Sequence, residues 1–65
     1  MDKLRIAQKL RELRGERSQR EVADAVGTTA MAISLYESGK RIPKDEIKIR
    51  LARFYNTTVD ALFYT

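Results

Sequence analysis

The sequence predicts an all-α fold, a compact five-helix bundle forming a single domain over residues 1–65. Two observations carry that expectation. Apolar residues recur three and four apart in successive short segments, the spacing that lines one face of a helix. Each segment is also bounded by residues that start or stop helices: Ser18, Thr29, Pro43 and Thr58 before, Gly15, Gly27, Gly39 and Asn56 after. No linker, repeat or low-complexity stretch interrupts the pattern.

The first helix is expected from about Lys3 to Arg14, with Ile6, Leu10 and Leu13 as its inner stripe, Leu4 and Ala7 beside it, and Gly15 ending it. Ser18 starts the second helix. Glu21 follows three residues later, so Ser18-Gln19-Arg20-Glu21 reads as a capping box. This helix buries Val22, Ala23 and Val26 and stops before Gly27. Thr29 caps the third, which runs from about Ala30 to Glu37 with Ile33 and Tyr36 inward, and Gly39 closes it. Lys40-Arg41-Ile42-Pro43 is a short basic loop, because Pro43 disfavours helix at Ile42 and suits a helix start after it. The fourth helix is expected from about Asp45 to Tyr55. Asp45 and Glu46 complement its positive end, Ile47, Leu51 and Phe54 or Tyr55 face inward, and Asn56 takes the left-handed position that ends it. A fifth helix of one or two turns, capped by Thr58, carries Val59, Leu62 and Phe63. Helices this short are marginal in water alone, so they must share one core.

Composition narrows the function classes. At 65 residues the chain is near the lower size for a domain that folds unaided. It has no Cys and no His, so no zinc site and no disulfide framework is expected, and stability must come from helix packing. No apolar run reaches the roughly 18 residues a membrane span needs, and the charged start Met1-Asp2-Lys3-Leu4-Arg5 lacks a signal-peptide core. A cytoplasmic protein is the expectation. Catalysis has little support. There is no Gly-rich phosphate loop, and Asp45 and Glu46 are adjacent on a helix, so they point apart. No metal, cofactor or small-molecule ligand is expected.

The net charge is +4, and its distribution is more informative than its size. Residues 1–20 carry seven Lys/Arg against three acids and residues 40–53 six against two, while residues 21–39 carry none against three. Basic blocks therefore flank a nearly uncharged segment. That segment, residues 19–38, has the arithmetic of a helix-turn-helix: two short helices, a glycine where the chain must turn sharply, and small Ala23 where the helices cross closely. Such a unit lays its second helix in the major groove of DNA. With Ile33 and Tyr36 in the core, Ala30, Met31, Ser34 and Leu35 face outward, with Thr29 at the N-terminal end, and these would meet base edges. They include no Arg, Asn or Gln, the residues that fork onto guanine or adenine. Thr29 and Ser34 can make single hydrogen bonds, and Ala30, Met31 and Leu35 can touch thymine methyls, so moderate discrimination with a contribution from DNA shape is expected. Met31 and Leu35 could instead touch another protein. Gln19 opens the second helix, where its side chain and amide can face phosphate, and Arg17 and Arg20 can add charge-assisted bonds. Val59, Leu62, Phe63 and Tyr64 exceed what a tiny helix buries, which places Phe63 and Tyr64 at least partly at an interface.

Ser18-Gln19, Val22-Ala23, Gly27, Thr29, Ile33-Ser34, Glu37, Gly39-Lys40, Pro43, Leu51-Ala52 and Val59-Asp60-Ala61-Leu62-Phe63 together resemble the Cro- or phage-repressor-like helix-turn-helix family, also called xenobiotic-response-element regulators. The resemblance spans about Leu4 to Phe63 and implies a lambda-repressor-like DNA-binding domain. Three departures stand out: a short Gly15-Glu16-Arg17 connection, Lys44 at the usual Ser or Thr cap, and Asn56 for the common Gly. The resemblance implies that Lys40, Arg41 and Lys44 lie along a phosphate strand, that Glu37 pairs with Arg14, and that the C-terminal end dimerises. It further implies a homodimer on a pseudo-palindromic double-stranded DNA operator, regulating transcription as a repressor, in a bacterium, phage or mobile element. With no effector domain visible, switching would come from concentration, a partner protein or degradation. A protein-interaction module built on the same fold, such as an antitoxin or inhibitor, is the other reading.

Overall fold

A computed structural model describes residues 1–64 of the chain. The described residues form five α-helices: α1 Lys3–Arg14, α2 Gln19–Val26, α3 Ala30–Glu37, α4 Asp45–Phe54 and α5 Val59–Phe63. Helix α4 ends one residue before the expected Tyr55. None of these helices is long and apolar enough to cross a membrane.

Side-chain caps fix most of the helix starts. Ser18 Oγ accepts from the Glu21 N–H at 3.0 Å, Thr29 Oγ1 from Ala32 at 3.0 Å and Thr58 Oγ1 from Ala61 at 3.0 Å. Each of these bonds satisfies a donor that the first helical turn leaves open. Asp2 does the same for α1, accepting from Leu4 and Arg5, a cap the sequence reading passed over. At α4 the cap position holds Lys44, which gives no side-chain bond, so that start rests on Pro43 and on Asp45 and Glu46 in the first turn.

The core joins all five helices: Ile6 and Leu10 from α1, Val22, Ala23 and Val26 from α2, Ile33 and Tyr36 from α3, Ile47 and Leu51 from α4, Leu62 and Phe63 from α5. Helix α3 lies against α1 and α2, α4 against α2 and α5, and α5 against α1. Ala23 is fully buried, as a close α2–α3 crossing requires. Two expectations about the core need correction. Leu13 is not part of the inner stripe: it is 37% exposed, lining an open groove with Thr57, Ala61 and Leu62 that α5 covers only in part. Phe63, expected at least partly at an interface, is a core side chain in the single chain, 2% exposed and among the most fully buried large side chains. With so few apolar residues in the chain, the closing helix spends its largest side chain on its own core. Tyr64 alone of the expected pair is exposed, at 54%.

The turn of the helix-turn-helix rests on Gly27, whose φ of 76° and ψ of 39° are left-handed. Its N–H and that of Thr28 both return to the Ala23 carbonyl. A Cβ added there would lie 3.0 Å from Arg50 Nη1, the mobile end of a long side chain, so backbone strain sets the cost of a substitution. Gly27→Ala is expected to destabilise the protein by about 1–2 kcal/mol, read as a lower urea midpoint by circular dichroism with an unchanged slope.

Candidate nucleic-acid interface

The outer face of α3 is what its two buried neighbours dictate. Ala32, Ile33, Tyr36 and Glu37 point into the protein, which turns Ala30, Met31, Ser34 and Leu35 to the other side. Met31 is 69% exposed, Thr29 is exposed at the N-terminal end, and Ala30, Ser34 and Leu35 are half-buried at the edges of the face. No charged side chain sits among these five positions. The structure therefore brings the five candidate base-facing residues onto one surface.

The flanking cations are held differently on the two sides. After α3 the chain folds back on itself. The Leu35 carbonyl accepts from Lys40 N–H at 3.0 Å, from Arg41 N–H at 3.3 Å and from Ser38 Oγ at 3.1 Å. That fixes the start of the basic loop against the end of α3. Lys40, Arg41 and Lys44 are exposed, as is Arg20 on α2, and none of the four forms an ion pair or side-chain hydrogen bond among the described residues. A cleft between the α3 N-terminus and this loop is lined by Thr28, Thr29, Tyr36, Arg41, Lys44 and Glu46, among others.

Arg17 and Gln19 have more work than the sequence suggested. Arg17 Nη1 donates to the Leu13 carbonyl at 3.2 Å, and its guanidinium lies 5.3 Å from the centre of the Phe54 ring. This arginine braces the short α1–α2 connection against α4. Gln19 Nε2 donates to Glu37 Oε1 at 3.0 Å, which leaves the amide one further N–H.

Glu37 is the centre of that side of the molecule. It is only 4% exposed, yet every oxygen is answered. Arg14 Nε donates to Oε2 at 2.8 Å and to Oε1 at 3.1 Å, Gln19 donates to Oε1, and Arg11 Nη1 donates to its backbone carbonyl. Arg14 also reaches back to the Arg17 carbonyl at 2.6 Å. Arg11 was not singled out from sequence, although it lies three residues before Arg14 and so shares its face of α1. Nearby, Tyr55 is pushed up from 10.0 to about 12, first by burial and then by the negative charge of Glu37, against the lowering effects of Arg17 and Arg14.

Two measurements test this cluster. Arg14→Met leaves a buried carboxylate without its counter-charge and is expected to cost about 3–5 kcal/mol. Glu37→Gln should cost less, because its amide needs no counter-charge and Arg14, 23% exposed, still meets water. Equal losses under about 1 kcal/mol in urea would show the pair to be no better than a surface bridge. Tyr55 holds its proton in the folded state at pH values where the unfolded chain has lost it. Its contribution is therefore complete below pH 10.0 and is lost as pH rises toward about 12. Tyr55→Phe should make stability fall less steeply over that window, measured by urea unfolding at stepped alkaline pH.

Comparison with known proteins returns one result. A family model described as helix-turn-helix matches residues 8–62, from the middle of α1 to the penultimate residue of α5. No curated protein and no solved structure matches the chain. The matched region contains the Gly27 turn, the neutral outer face of α3, the cluster around Glu37 and the basic loop. The chain belongs to the Cro-like, xenobiotic-response-element-type helix-turn-helix family of DNA-binding regulators.

Proposed function

We propose that this protein is a sequence-specific regulator of transcription that binds a pseudo-palindromic double-stranded DNA operator as a homodimer and acts as a repressor. The observation that carries this reading is the neutral outer face of α3 set between cationic segments whose Arg20, Lys40, Arg41 and Lys44 are exposed and have no side-chain partner among the described residues. Phosphate contacts fix the position of a protein on DNA, and base contacts specify sequence. In this reading Thr29, Ala30, Met31, Ser34 and Leu35 enter the major groove. Lys40, Arg41 and Lys44 hold one backbone. Gln19, Arg20 and Arg17 hold the other, with the α2 N-terminus adding its amides. Arg17 contributes charge from a braced position, and Gln19 contributes the N–H that Glu37 leaves open.

The dimer contact falls to exposed Tyr64 at the C-terminal end, with Phe63 behind it in the core. Cytoplasmic operation in a bacterium or phage goes with that role.

Selection from random duplexes, followed by fluorescence anisotropy at several salt concentrations, tests the proposal. A recovered palindrome with half-sites about 10–10.5 base pairs apart supports it. Equal binding to every duplex with a steep salt dependence would reduce the protein to a non-specific polycation binder. Absence of duplex binding together with a tight protein partner would turn the reading to an interaction module. Lys40→Ala is expected to weaken all duplexes alike and to lower the salt slope by about one.

A further inference from the structure

The outer face of α3 holds a large apolar side chain where readers of DNA more often hold polar forks. Met31 is 69% exposed, in the first turn after the Thr29 cap, and neighbours Ala30, Ser34 and Leu35 on that face. Other large apolar side chains are exposed as well, Leu4 at 73%, Met1 at 61% and Ile49 at 44%. Leu4 approaches Gly39, where an added Cβ would stand 3.1 Å from its Cδ2. Met31 has no aromatic, charged or polar partner among the described residues.

In the major groove the base edges present nitrogen and oxygen donors and acceptors, and one apolar group, the C5-methyl of thymine. A thioether on a flexible chain cannot answer the donors and acceptors but fits a methyl well. Cytosine methylated at C5 presents the same methyl in the same position. It differs from thymine in offering an N4 donor in place of the O4 acceptor. The outer face of α3 has no Arg, Lys, Asp, Glu, Asn or Gln to register that difference, and the hydroxyls of Thr29 and Ser34 serve as donor or acceptor equally well.

We propose that Met31 makes this protein a reader of C5-methylated pyrimidines, so that its binding responds to cytosine methylation at one or two positions in each half-site. This rests on the DNA-binding reading above and deepens it by naming the group that Met31 recognises. Methyl recognition by Met31 is apolar contact, so each methyl removed should weaken binding about fourfold, the value of one buried methylene.

The test uses the full chain and a duplex selected from random sequence, titrated by fluorescence anisotropy. Each thymidine is replaced in turn by deoxyuridine, which removes only the methyl. At the same positions cytosine is then compared with 5-methylcytosine. A loss of about fourfold with uracil at one or two positions per half-site, and a matching gain of 5-methylcytosine over cytosine there, is the expected result. Met31→Ala should flatten both differences, and its exposure means that the variant folds, which circular dichroism checks. Lys40→Ala should weaken binding overall and leave both ratios intact. If uracil and thymine are bound equally at every position of a duplex that the protein still selects, the proposal falls while the operator-binding reading stands. If the differences persist in Met31→Ala, the methyl is read by another residue and the assignment to Met31 falls. If no duplex is selected over random DNA, the operator-binding reading itself fails and the proposal falls with it.

Discussion

One buried carboxylate organises this molecule. Glu37 ends α3 inside the protein, where an unpaired charge would cost several kcal/mol. It is tolerable because α1 and α2 converge on it. Arg14 supplies the counter-charge and two hydrogen bonds, Gln19 supplies a third, and Arg11 holds the carbonyl of the same residue. These bonds are directional, whereas the apolar core is not. Contact among Leu10, Val22, Ile33 and Leu51 would be satisfied by a range of helix rotations. The Arg14 Nε–H, shared between both oxygens of Glu37, narrows that range for α1 against α3, and Gln19 does the same for α2. The orientation of α3 relative to α2 is thus set by polar geometry on one side and by Gly27 on the other.

The opposite end of the molecule meets a different constraint. A chain of 65 residues has few apolar side chains to spare, and α5 is only five residues long. Leu62 and Phe63 are therefore both drawn into the core. The buried Lys48 of α4 follows from the same economy. Its stem lies among the closing aromatics, and its ammonium stands 5.7 Å from the centre of the Phe63 ring and 5.0 Å from that of Tyr64, donates to Tyr64 Oη at 2.9 Å and reaches Asp45 at 3.7 Å. A lysine so placed covers apolar surface with its methylenes while keeping its charge answered. Tyr64 is held to α4 in this way while it remains exposed.

The fold was legible in the sequence wherever local chemistry decides it. Ser18, Thr29 and Thr58 cap helices because their oxygens suit open amides, and Gly27 and Asn56 turn the chain because they tolerate positive φ, at 76° and 56°. The outward set Ala30, Met31, Ser34 and Leu35 followed from fixing Ile33 and Tyr36 inward. What was not legible depends on distant neighbours. Leu13 keeps helical spacing with Ile6 and Leu10, and only the position of α5 decides that it is covered in part, at 37% exposure. Phe63 looked surplus because the depth of the core beneath a five-residue helix cannot be read from the helix itself. Arg17 and Gln19 show the same limit for polar groups. Their types and positions suit phosphate, but Phe54 and Glu37, 37 and 18 residues away in the chain, engage them within the fold. Lys48 carried a signal that periodicity could have caught, since it falls in the inner row with Ile47, Leu51 and Ala52.

The neutral face of α3 and the charge around it make sense together when affinity and discrimination are separated. Cationic contacts with phosphate supply affinity that is the same for every sequence and fades with salt. On the proposed reading, discrimination would come from α3, whose outer face offers hydroxyls and apolar groups but no forks. Contacts of that kind separate right from wrong bases at the low end of the usual range of about 1–3 kcal/mol per base pair. One copy of such a helix would select its site poorly. Two copies related by a two-fold axis read two half-sites, and their preferences add in free energy and so multiply in affinity. Under the proposed function, a weakly discriminating helix on a small domain would therefore favour symmetric binding. The rigidity that Glu37 and Gly27 give the helix-turn-helix would serve that proposed arrangement, because preferences add only if both helices reach the groove at the same angle.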